Sequence, residues 1–185
     1  MNSEMIIQII KDVQKAYEAN ASEIEKLDQA IGDGDHVINM RRGMKAILEI
    51  EEELGSLKPG GALNKIAMTL LSSIGGAAGP LFASMFMGMA KVPGSDHMDD
   101  SKTVAKMFSS GVELVKQRGK ADVGDKTMMD VLIPVSTLFN KLVERSDLSK
   151  NEMLRQLMAE AERGMLSTKD IAATKGRASY LGERA

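Results

Sequence analysis

Residues 63–89 read LNKIAMTLLSSIGGAAGPLFASMFMGM, and this stretch decides the fold class. Leu63, Ile66, Ala67, Leu70, Leu71 and Ile74 recur at i, i+3, i+4 and i+7, the period of one helix face, without the alternation of a strand. Gly75 and Gly76 stop that helix. Pro80 then falls in the first turn of the next one, where its missing N–H is no loss. Leu81, Phe82, Met85, Phe86 and Met89 restart the helical period at once.

The same period extends in both directions. On the N-terminal side, Ile6, Ile9, Ile10, Val13, Ala16 and Tyr17 form a stripe behind Ser3 as a cap. Asn20 with Glu23 three residues later starts a second short helix, or resumes the first after a break. Asp35 is placed to cap a helix bearing Met40, Met44, Ile47 and Leu48. Gly55–Gly61, with Pro59 inside it, reads as a turn-rich connection, and Val92–Asp100 as a surface loop.

Further helices are expected at 101–117, 126–144 and 150–172, the last behind a capping box of Ser149 and Glu152. Pro134 predicts a kink in the second of these. The expectation is an all-α protein: an antiparallel up-and-down bundle or barrel of about seven to eight helices, forming one domain over 1–185.

Composition narrows the function. The 185 residues include no cysteine, which excludes disulfides and thiolate metal sites. A net charge of −2 and a pI near 5.8 leave no basic footprint for nucleic acid or an anionic membrane. No signal pattern is present, and no apolar run reaches the ~18 residues of a membrane span. The expected location is the cytoplasm. Aromatics make up 3% while methionines number 15, which suits a core of irregular shape, with or without an apolar guest.

Four glycine-containing loops interrupt the helices. In the first, 27–36, Asp28, Asp33 and Asp35 fall within eight residues. Two such charges ~4 Å apart repel by about 1 kcal/mol in water and about 4 at the effective dielectric of a protein site. An exposed acidic turn tolerates that; a cluster converging in a cleft needs a cation, and all-oxygen ligands favour magnesium, manganese or calcium over zinc. The loop alone leaves both readings open.

The second loop, 72–80, is rich in Gly and Ala and leads into a helix whose N-terminus offers unpaired N–H groups to an anion. The third, 118–130, sets cations, a threonine hydroxyl and apolar Met128 side by side; the fourth, 174–184, combines Gly, Ser, Lys and Arg. An up-and-down bundle places alternate connections at one end. There the four loops would supply a metal cluster, an anion nest, apolar padding and an arginine, the parts of a magnesium–nucleotide site.

At these loops the chain resembles the L-subunit family of dihydroxyacetone kinases. The blocks that carry the resemblance are IGDGDHVINMRRG at 31–43, MTLLSSIGGAAGPLF at 68–82, RGKADVGDKTMMDV at 118–131 and ATKGRASYLGER at 173–184. The resemblance implies an eight-helix barrel with two Mg2+ and a tightly bound ADP at one end, held as a cofactor that becomes ATP in place and does not exchange. It implies that Asp28, Asp33 and Asp35 are metal ligands and that His36, Val37, Ile38 and Asn39 contact the phosphates. Ala77 and Ala78 match the backbone contacts of the glycine-rich turn, Gly119 and Met128 the surroundings of base and sugar, and Arg177 a nucleotide-binding arginine. His97 is read as an exposed loop residue.

Three positions depart from the family pattern. Val37 stands where the family usually has glycine, and Ala78 where serine is frequent. The chain ends at Ala185, where the family continues with an Ile-Gly-His-x-Asp-Pro-Gly segment and a last helix, so that segment is expected to be missing.

The resemblance implies a relay. A phosphohistidine carrier (M) subunit donates to bound ADP, and the nucleotide phosphorylates dihydroxyacetone on a separate K subunit. The aspartates position metal, and no residue of this chain is assigned as a catalytic nucleophile. Two other readings stay open: the nucleotide domain of an ATP-dependent dihydroxyacetone or fatty-acid kinase, and a regulatory partner of a transcription factor.

Overall fold

The computed structural model describes residues 3–96 and 100–184, without the side chains of residues 177, 183 and 184. Among the described residues there are eight α-helices and no strand. They are α1 (Ser3–Ile31), α2 (His36–Leu48), α3 (Glu51–Ser56), α4 (Pro59–Ser73), α5 (Ala78–Ala90), α6 (Ser101–Gly119), α7 (Met129–Leu142) and α8 (Lys150–Ser167). A 3-10 segment, Arg177–Arg184, follows and rests on α1. Helices joined by short connections lie side by side, with α2 on α4, α4 on α5, α5 on α6, α6 on α7 and α7 on α8, so the all-α bundle expected from the periodicity is present. No helix among the described residues is long and apolar enough to cross a membrane.

Local chemistry explains where the boundaries differ from the reading of the sequence. The break expected at Asn20 is absent, and α1 runs unbroken for 29 residues, about 44 Å. The Asn20 amide donates to the Ala16 carbonyl of its own helix (2.8 Å), and neither Gly nor Pro falls between 14 and 31 to stop the helix. Ser3 lies inside α1, not ahead of it, and its hydroxyl donates to the Leu57 carbonyl (2.5 Å), tying the helix start to the α3–α4 link.

The turn expected over Gly55–Gly61 shrinks to residues 57–58. Gly55 is helical in α3, and Pro59 opens α4 as its first residue, where its fixed φ is already helical. Asp96 accepts the Gly60 N–H (3.2 Å), satisfying a donor at that helix start from the distant 90s loop. The last two helices are shorter than expected, 129–142 and 150–167. Ser149 accepts the Glu152 N–H (3.2 Å), the cap read from the sequence.

The core has two parts. Ile6, Ile7 and Ile10 of α1 pack with Ile47, Leu54, the α4 face Ala62–Leu63–Ile66–Leu70, Ile74 and Met107. A smaller cluster of Val112, Val115, Ala121 and Met129 lies between α6 and α7. Leu71, Ile9 and Val13, expected in apolar faces, are instead 41%, 47% and 54% exposed, because only part of each apolar stripe meets a neighbour.

On α5 the most deeply buried positions are small: Gly79, Ala83, Ser84 and Gly88. There α5 and α6 meet backbone to backbone. A Cβ on Gly111 would stand 2.7 Å from the Met85 carbonyl oxygen, and one on Gly88 2.7 Å from the Gly111 Cα. Pro134, inside α7, has no N–H for the Asp130 carbonyl one turn back, and Gly164 of α8 packs directly on that carbonyl, where a Cβ would overlap it.

Candidate functional site

The three aspartates come from two structural contexts. Asp28 belongs to the last turn of α1, while Asp33 and Asp35 sit in the 32–35 connection, which turns at Gly34 with φ of 74°. One oxygen from each lies within 4.8 Å of the others. Asp28 is half-buried; Asp33 and Asp35 are exposed.

The expectation that Asp35 caps α2 needs correcting. Asp35 occupies the cap position, yet its side chain makes no capping bond. The His36 N–H is taken instead by Asp28 Oδ2 (3.0 Å). Asp28 therefore ties the end of α1 to the start of α2, and Asp35 turns to the cluster. Gly32 makes this geometry available, because a Cβ there would overlap Asp28 Oδ1 and press on the Asp28 carbonyl. At such separations each carboxylate pair repels by about 1 kcal/mol in water and about 3–4 at an effective dielectric of 20. Among the described residues no lysine or arginine pairs with Asp28 or Asp35. A compact all-oxygen donor set of this kind fits a hard divalent cation.

Residues 36–39 form the first turn of α2 and divide by face. Val37 is buried, with 2% exposure, so its side chain enters the core. Ile38 is 56% exposed on the outer face. The His36 ring stands 6.5 Å from the Tyr17 ring, and the Tyr17 hydroxyl is buried without a hydrogen-bond partner. Burial, more than any neighbouring charge, raises the Tyr17 phenol above its ordinary range.

Asn39 is 9% exposed, and its side-chain amide makes no hydrogen bond among the described residues. Its Oδ1 lies 3.7 Å from where a Gly75 Cβ would stand, facing the glycine-rich turn that opens α5. The Tyr17 hydroxyl is the one fully buried unbonded side-chain polar atom among the described residues, so the Asn39 amide is reachable from solvent and open to a bound polar group.

The second, third and fourth loops enclose a cavity of about 420 Å³. Its lining includes Ala77 and Pro80 of the second loop, Gly119, Ala121 and Met128 of the third, and Lys175 and Gly176 of the fourth. Of the residues singled out by sequence, Ala77, Gly119 and Met128 are brought together here. Ala78 does not line the cavity and packs on the main core. The three aspartates lie outside it, joined to it through α2, Asn39 and the 75–77 turn. His97 lies outside the described residues, as does the Arg177 side chain.

Sequence reading missed two cations in the lining, Arg118 and Lys175. Arg118 forms no ion pair among the described residues. Their signal was their place inside glycine-containing loops already read as anion-binding. The fourth loop is bound to the third. Thr174 donates its N–H to the Asp125 carbonyl (3.2 Å) and its hydroxyl to Asp125 Oδ1 (2.5 Å), and Lys126 Nζ reaches the Ile171 carbonyl (3.0 Å). The Thr174 hydroxyl, more than the Asp122 N–H, holds the Asp125 carboxyl below the usual carboxylate range.

This arrangement agrees with the comparisons to known proteins. The DAK2 domain family matches residues 30–185. The ADP-binding subunit DhaL of PEP-dependent dihydroxyacetone kinase 1 from Listeria innocua is 35% identical over 183 residues, 99% of this chain and 86% of that protein. The corresponding Escherichia coli subunit is 41% identical over 158 residues, 85% of this chain and 75% of that protein. A probable dihydroxyacetone kinase of Dictyostelium discoideum is 28% identical, and there the aligned region is 30% of the longer chain. On the DAK2 match and on the identity to the DhaL subunits over most of both chains, this protein belongs to the DAK2 domain family and, within it, to the DhaL subunits.

Proposed function

We propose that this chain is the nucleotide-carrying subunit of a dihydroxyacetone kinase, relaying a phosphoryl group from a phosphohistidine carrier (M) subunit to dihydroxyacetone on a K subunit. The observation that carries the reading is the juxtaposition at one end of the bundle: three converging carboxylates, the unbonded Asn39 amide facing the glycine turn, and a cavity lined by Ala77, Gly119 and Met128. The DhaL relatives, ADP-binding subunits of PEP-dependent kinases aligned over 86% and 75% of their own length, support it.

In this reading Asp28, Asp33 and Asp35 hold two Mg2+. The α2 start at His36–Asn39 and the Ala77–Ala78 turn receive phosphates. Gly119 and Met128 flank base and sugar, and Arg177 pairs with phosphate. When bound, the nucleotide supplies the transferable phosphoryl group and the metal neutralises the charge that develops on it. The carboxylates position and do not attack. In this reading Asn39 donates to a phosphate oxygen through its amide Nδ2, and the α5 N-terminus presents backbone N–H groups to an anion.

The test is an assay pairing this chain with a K subunit. The expected outcome is multiple turnover from the phosphorylated carrier and at most slow turnover from ATP. Rapid multiple turnover from ATP without the carrier would move the chain to the ATP-dependent kinases. Co-purification with a transcription regulator, without turnover from either donor, would support a regulatory role instead.

A further inference from the structure

Asp130 is 2% exposed and occupies the first turn of α7, outside the set of residues proposed to touch nucleotide or metal. Its two oxygens accept two backbone donors: Oδ1 takes the Gly124 N–H (2.6 Å) and Oδ2 the Thr127 N–H (2.8 Å). The Thr127 hydroxyl in turn accepts the Met129 N–H (3.1 Å). Asp130 and Thr127 thus bind the backbone just ahead of α7 by bonds like those of a capping box.

The segment so held is conformationally costly. Lys120, Gly124 and Lys126 have φ of 49°, 94° and 55°, three left-handed residues in seven, two of them with side chains. Ala121, Thr127 and Met128 of the same segment line the cavity. Its Asp125 and Lys126 fasten residues 171–174, and Lys175 and Gly176 follow directly in the cavity lining. Hydrogen bonds, linked through the backbone from Gly124 to Lys126, therefore connect a buried carboxylate to both stretches of the cavity lining.

Resting on the nucleotide reading, we infer that Asp130 is a positioning residue: it fixes the loop that shapes the base-and-sugar side of the site, without touching ligand or metal. The effect of losing it divides by ligand part. Asp130→Asn keeps one acceptor but turns an NH2 donor on the second backbone N–H. The 120–128 stretch loosens, while the carboxylate cluster and the Asn39–Gly75 region, built on other elements, keep their geometry.

The experiment titrates wild type, Asp130→Asn and Thr174→Val with ADP and separately with inorganic pyrophosphate, both with Mg2+, and follows each variant's helicity. ADP affinity is expected to fall at least about tenfold in Asp130→Asn, the equivalent of one charge-assisted hydrogen bond, with pyrophosphate affinity unchanged. Thr174→Val cuts the same connection at its exposed end and is expected to show a smaller loss in the same sense, which holds the test open if Asp130→Asn fails to fold. Unchanged ADP affinity in a folded Asp130→Asn, unchanged ADP affinity in Thr174→Val, or equal losses for both ligands would overturn the inference. A wild type that binds pyrophosphate but not ADP would overturn the nucleotide reading and the positioning role together.

Discussion

Asp33→Ala and Asp35→Ala are each expected to weaken Mg-ADP binding by about a hundredfold or more, while the far-UV spectrum and melting behaviour stay close to wild type. The two residues are exposed, so the fold has little to lose. The donor set has much to lose. Removing one of three converging anions leaves two to hold a divalent ion, and a hundredfold loss corresponds to about 2.8 kcal/mol. Gly32→Ala acts in the same direction without removing a charge, because its Cβ would displace the Asp28 carboxylate and loosen the α2 start that this carboxylate caps. Calorimetric titration with Mg-ADP is the measurement, and wild-type affinity in either aspartate variant would exclude that residue from metal binding.

The largest effect on stability is expected at Gly111. Two Val γ-carbons have no room where α6 lies against the Met85 carbonyl, and backbone cannot yield as a flexible side-chain end can. Gly111→Val should destabilise by about 3 kcal/mol, well beyond the few tenths gained in helix propensity, and lower Tm by about 6–12 °C for a chain of this size. Gly55→Ala is the contrast. That glycine lies inside α3 with nothing near its Cβ position, so alanine should stabilise by about 0.5–1 kcal/mol. Urea unfolding measures both, and equal midpoints for wild type and Gly111→Val would contradict the close α5–α6 approach.

Much of this architecture was legible in the sequence. The stripe from Leu63 to Ile74, the glycine stop and Pro80 after it correspond to α4, its end and the first turn of α5. The α8 cap at Ser149 was legible for the same reason: its signal is local and chemical. What stayed hidden depends on distant partners. Nothing around residue 60 announces that Asp96 completes the α4 start, or that Ser3 is used by Leu57. The spacing of Asp28, Asp33 and Asp35 fits an exposed acidic turn as well as a cluster. Their convergence depends on α1 continuing to Ile31 through the expected break, which carries Asp28 over the α2 start. Periodicity likewise marked Ile9 and Val13 as apolar without saying which part of the stripe would find a neighbour. Asp130 was in view as one more residue of a polar loop; only the path of the 120–128 backbone reveals its two donors.

The most direct measurement of the central claim is the affinity of the purified wild-type chain for ADP, with Mg2+ present and then with the metal chelated. If the aspartate cluster and the cavity together form one magnesium–nucleotide site, ADP binds stoichiometrically and tightly with Mg2+ and is released when the metal is removed. ADP affinity that is indifferent to chelation, or no ADP binding in either condition, would contradict it.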